Sequence, residues 1–220
     1  MNERPALGLI VVAGFIGTIG DVSSPVFGLA AESFLTVERA NTSNDEDEDE
    51  FTGELMVEGL LIPTNGTEGA FGYGFLTGDG GEGGGGEDTI LVTHTHPGVL
   101  DSEDQGFVDD PIWHNHFIRL GHVEQCEEGQ GVVDSTWQSP GEVEINDNTA
   151  RVSDIPTDEF EGWDSMTGEP LSLTLGESVS EVVSFKLDPV FGGEREEEEE
   201  GLEAVCLTHI RSAEEEVNSE

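Results

Sequence analysis

Basic residues are almost missing from this chain. Lys186 is the only lysine, and 7 lysines and arginines stand against 49 aspartates and glutamates, a formal net charge of −42 over 220 residues. Nothing resembles a basic patch, which excludes nucleic acid as a partner, because that binding depends on clustered cations neutralising phosphates. Cysteine is scarce too: Cys126 and Cys206 form no C-x-x-C and match no structural zinc spacing. There is no Walker A and no G-x-S-x-G. The loop 78–86 does contain Gly78-Asp79-Gly80-Gly81-Glu82-Gly83, formally G-x-G-x-x-G. It leads into a strand pattern instead of a helix, and its two acids would repel a pyrophosphate, so a dinucleotide site is excluded. Outside the N-terminal segment no stretch carries an apolar period of 3.6, and helices are not expected in the folded part.

The acids are spread through nearly every segment, so the acidity is a property of the whole surface. Like charges at this density repel over a Debye length of roughly 10 Å at 0.1 M salt and only about 3 Å at 1 M. The composition therefore points to an extremely salty medium, with calcium binding or a basic partner as the competing explanations. The length suits one domain with a sizeable core.

Residues 6–19 form an uncharged apolar run of 14 residues behind Arg4, ended by Asp21. That length fits the core of a signal peptide and falls short of the roughly 20 residues that span a bilayer. Gly28-Leu29-Ala30 offers small residues at the positions a signal peptidase reads, so residues 1–30 are expected to be a signal peptide cleaved after Ala30. An uncleaved anchor facing outward is the alternative, since apolar character resumes from Val22; a buried N-terminal element is the third. Export would make the protein extracellular or surface-held, with the membrane touched only through this segment. It would also give meaning to the glycosylation patterns at Asn41 and Asn65 and allow Cys126 and Cys206 to form a disulfide closing a loop of about 80 residues. In a reducing cytoplasm the two would be buried thiols.

Residues 31–50 end in NTSNDEDEDE and predict a disordered acidic linker; 213–220 predicts an acidic tail, and 194–200 a solvated charge run. Residues 51–212 read as one β domain: an all-β antiparallel sandwich or barrel of about 8–10 short strands, rich in Val, Ile, Leu, Thr and Phe between turn residues. The candidate strands are 54–62, 70–77, 89–96, 112–120, 132–137, 142–145, 149–153, 171–175, 179–187 and 202–210. In Phe71-Gly72-Tyr73-Gly74-Phe75 the alternation puts three rings on one face and leaves the other open to close approach, a packing device.

Chemistry is concentrated in residues 89–122, which hold five of the 6 histidines. His94 and His96 form one His-x-His, His114 and His116 another. Residues two apart on a strand point the same way, so each pair shares a face, with Ile90 and Val92 on the first strand and Ile118 and Leu120 on the second. Those faces are apolar and expected to turn inward, although Trp113, Asn115, Phe117 and Arg119 make the opposite face of the second strand mixed. Burying imidazoles costs on the order of 1–3 kcal/mol each unless they find partners, and one metal ion satisfies several at once. His94, His96, His114 and His116 are thus the candidate ligands of a divalent transition metal, with zinc, copper or iron suiting imidazole. Behind them stand His122, His209, Asp101 and Glu103, His209 only if the two cysteines are bridged and bring the last strand near. The His-x-His is similar to that of cupin barrels, but Glu103 follows His96 by seven residues where a shorter spacing is required, and the family is not carried over. No residue is selected as a nucleophile. Two function classes stay open: an exported metalloprotein, either a metal-dependent enzyme or a carrier, and a metal-free surface or secreted domain with a structural or adhesive role.

Overall fold

A computed structural model describes residues 33–45, 49–61, 70–77, 89–95, 113–127, 129–176, 178–192, 201–213 and 217–219. Residues 1–30, His96, Asp101, Glu103, the glycine-rich loop, Asn65 and the run 194–200 lie outside them.

Among the described residues the only regular element besides strands is a 3-10 turn at Ser33–Leu35. The strands are β1 Val37–Asp45, β2 Glu50–Val57, β3 Ala70–Thr77, β4 Thr89–Thr95, β5 His114–His122, β6 Gln130–Ser135, β7 Glu142–Asn146, β8 Thr149–Pro156, β9 Glu159–Trp163, β10 Pro170–Thr174, β11 Val179–Gly192, β12 Gly201–Ser212 and β13 Val217–Ser219. Six of them close an antiparallel barrel in the order β11-β12-β6-β5-β4-β3. A second sheet runs β13-β1-β2-β8-β7, and β9 and β10 form a separate ribbon. The all-β expectation therefore holds, and the architecture is a barrel with a sheet packed on it.

Period-two alternation sorts the side chains into two cores. In β3, Phe71, Tyr73 and Phe75 face outward into a cluster with Phe34, Leu35, Phe51, Leu55 and Val57 of the sheet side. Leu91 of β4, Phe117 of β5 and Val182 of β11 belong to the same cluster. Residues of the other parity, Ile90, Val92, Ile118, Val132, Val183, Phe185, Leu187 and Leu207, meet inside the barrel. The wall made by β3, β4, β5 and β11 is consequently buried on both faces. Polar atoms lock the two layers: Ser184 donates its hydroxyl to the Leu35 carbonyl, and the Tyr73 hydroxyl donates to the Phe34 carbonyl. Burial holds the Tyr73 phenol well above its ordinary range, so it stays a neutral donor.

Two boundaries differ from the sequence reading. Residues 33–45, expected within a disordered linker, form the 3-10 turn and β1, which pairs antiparallel with β2 as far as Asp45 against Glu50. A strand at the surface needs few apolar anchors: Val37 and Ala40 are buried, while Glu38, Arg39 and Asn41 face solvent. Within the acidic tail, Val217–Ser219 pairs in parallel with Ala40–Thr42 of β1, since backbone pairing does not require apolar side chains. The strand β9 has no counterpart in the sequence reading because its Glu159, Glu161 and Trp163 are exposed and only half its positions carry a packing signal.

Cys126 and Cys206 are bonded, with a sequence separation of 80. The bridge ties the turn after β5 to β12, with Ala204, Val123 and Val190 around it. In the chain-entropy model such a loop stabilises the fold by about 4.5 kcal/mol. Denaturant unfolding with and without reductant should show a loss of that order; curves that superimpose would mean the bridge adds nothing.

Candidate metal centre

Three histidines converge at one end of the barrel. His94 lies directly across from His114 in the β4–β5 ladder, and Val92 directly across from His116. The alternation that sends Ile90, Val92 and Ile118 inward sends these three rings inward as well. All three are buried. His94 and His114 form the outer layer, at the end from which the β4–β5 connection leaves; His116 lies one layer deeper, above Ile90 and Ile118.

Room for the rings comes from β3. Gly72 pairs with His94, and a Cβ added there would lie 2.7 Å from the His94 Cβ and 3.0 Å from the Thr93 carbonyl oxygen. Gly74, one layer down, is close to Ile90, Val183 and Phe185. The aromatic–glycine alternation therefore does two things at once: its rings fill the core shared with the sheet, and its glycines let β4 side chains fill the barrel.

The ring centroids are 4.5 Å apart for His94–His114, 4.9 Å for His94–His116 and 4.9 Å for His114–His116. The planes are inclined at 58°, 69° and 89°, so the rings meet edge to face and do not stack. One ligand nitrogen from each lies within 4.8 Å of the others. Nitrogens bound to one tetrahedral zinc at 2.0–2.1 Å are about 3.4 Å apart, inside the 4.8 Å that bounds this group. The donor set is neutral, buried and all imidazole, which fits a borderline transition metal.

His116 is oriented from outside the group. Its Nδ1 faces the Thr136 carbonyl, which can only accept, so in the neutral ring Nδ1 carries the proton and Nε2 keeps its lone pair. Thr136 is itself fixed: its backbone N–H donates to the Phe117 carbonyl (3.0 Å) and its hydroxyl accepts the Phe117 N–H (3.1 Å). A carbonyl that sets the tautomer and angle of a histidine is a recurrent support for metal ligands. Sequence gave no signal for Thr136, since the contact is made by main chain. Gly72 had one, in the alternation with aromatics.

Of the other candidates the described residues include only His122 and His209, and both fall outside the group. His122 is exposed at the far end of β5, about 27 Å along the strand from His114 at 3.4 Å per residue, and its ring lies against Gly129. His209 does not join, although the disulfide forms. It is exposed, with a left-handed φ of 53°, at a register shift of the β11–β12 ladder that breaks the alternation and turns it toward the surface beside Cys126, Cys206 and Glu127. The opposite face of β5, which had looked mixed, is covered by the sheet side: Asn115 and Phe117 are buried, and Arg119 pairs with Asp134 at 3.3 Å.

Replacing Gly72 with alanine should destabilise the protein by about 1–3 kcal/mol, because the new methyl group meets backbone as well as the His94 side chain. Chemical denaturation measures this, and an unchanged midpoint would show that β3 does not hold His94 in place. No protein family, curated protein or solved structure was found to match this chain.

Proposed function

We propose that this is an exported, salt-adapted β-barrel protein that binds one divalent transition metal ion, zinc, copper or iron, through His94, His114 and His116. The observation that carries the proposal is the convergence of three buried imidazoles, one from β4 and two from β5, within 4.8 Å. Three neutral protein ligands leave a further coordination position, the arrangement of catalytic sites and not of closed structural ones. Water or a small substrate would take that position. A metal held this way would act as a Lewis acid or lower the pKa of a bound water. Ile90 and Ile118 form a buried apolar floor beneath the site.

Export is supported by the apolar segment 6–19 and by the Cys126–Cys206 disulfide, since such bonds persist in oxidising compartments. Salt adaptation is supported by the net charge of −42.

Protein purified in high salt without a nickel column should contain about one transition-metal ion per chain by elemental analysis. The His114→Ala, His116→Ala double variant should lose it while keeping the β-sheet circular dichroism of the parent. Metal-free parent protein that also takes up no zinc, copper or iron on titration would leave the structural or adhesive reading in its place. Independently, the melting temperature should climb steadily as salt is raised from about 0.1 M to above 1 M, the range over which the Debye length collapses; a flat profile would remove salt adaptation and leave the metal site untouched.

A further inference from the structure

On the other side of the strands that carry the histidines is a second group of polar side chains. Thr93, Thr95 and Asn115 are fully buried, and Thr93 pairs directly with Asn115 across β4 and β5. Trp113 precedes β5 on the same face. Its indole stacks on Tyr73 at 6.1 Å and 13° and meets Phe71 edge-on at 5.5 Å. Tyr73 and Phe71 belong to β3 and pair with Thr93 and Thr95 of β4, so the indole reaches across β4. Thr93 Oγ1, Thr95 Oγ1, Trp113 Nε1 and Asn115 Oδ1 meet no hydrogen-bond partner among the described residues. Asn115 cannot turn to relieve this, because its Nδ2 donates to the Pro140 carbonyl (3.0 Å) and its backbone N–H donates to the Ser139 hydroxyl (3.1 Å). The two threonines cannot serve one another either, as same-face neighbours stand about 6.8 Å apart along a strand.

We infer that this space is a buried hydration site, in which ordered water bridges Thr93, Thr95, Trp113 and Asn115. The chemistry selects water over an ion. The indole N–H only donates and would repel a cation, the Asn115 carbonyl oxygen only accepts and would repel an anion, and the hydroxyls do both. A neutral molecule that both donates and accepts, with two to four partners, matches all four groups. The site stands independently of any metal: it lies on the sheet-facing side of the backbone, and the histidines lie on the barrel side.

Two measurements on the full-length chain in high salt test it. Thr93→Val and Thr95→Val keep the side-chain shape and delete one hydroxyl each. If water bridges these groups, each variant melts lower, by about 2–4 °C. If the hydroxyls are orphaned, each variant melts at the same temperature or higher, since an unsatisfied buried polar atom has been removed, and the inference is overturned. In the unmodified protein, the Trp113 indole proton, assigned by comparison with Trp113→Phe, should show direct cross-relaxation with a long-lived water; an indole proton without it also overturns the inference.

Discussion

A wall of strands buried on both faces governs this molecule. One face of β3, β4, β5 and β11 must complement the covering sheet and the other must fill a barrel of six strands, with only alternate residues available to each. Where β3 meets the demand with Phe71, Tyr73 and Phe75 outward, it can offer only glycine inward at Gly72 and Gly74, and the volume so released is taken by β4. Val92 and Ile90 fill it apolarly. His94 fills it with an imidazole, His114 completes that layer, and His116 adds a third ring one layer deeper. The convergence is thus a consequence of register: had β5 slipped by one residue against β4, Asn115 and Phe117 would point into the barrel and the histidines toward the sheet.

Much of this was legible beforehand. The strands 70–77, 142–145 and 149–153 begin where the structure begins them, and the parity of His94, His114 and His116 follows from the sequence alone, because a strand allows only two sides. What the sequence left open was which side is inside, since Trp113, Asn115 and Phe117 give the opposite face of β5 comparable claims to burial. The sheet resolves it by burying both. Composition misled at 31–50, where acidity implied disorder; the strand there is held by Val37, Ala40 and backbone pairing with β2. His209 shows the limit of parity arguments, as a single left-handed residue at a register shift turns a side chain out of its expected face.

The surface and the interior obey different electrostatics. Exposed acids such as Glu142, Glu144 and Glu161 repel at low ionic strength and are screened in brine, and partly exposed pairs such as Arg119–Asp134 add about 1 kcal/mol or less. Screening does not reach buried polar groups, which must find partners within the fold. Thr136 supplies one for His116 through its carbonyl, and the Phe34 carbonyl supplies one for Tyr73. The same requirement acts on both sides of the β4–β5 backbone, where each histidine is flanked along the chain by a buried or half-buried polar residue facing the opposite way.

The central claim is that His94, His114 and His116 share one ion. Anomalous diffraction from crystals grown without added metal, collected at the absorption edges of zinc, copper and iron, addresses it directly. The account predicts a single strong peak lying between the three imidazoles and bonded to Nε2 of His116; a map with no peak there, and imidazoles hydrogen-bonded only to protein and water, would contradict it.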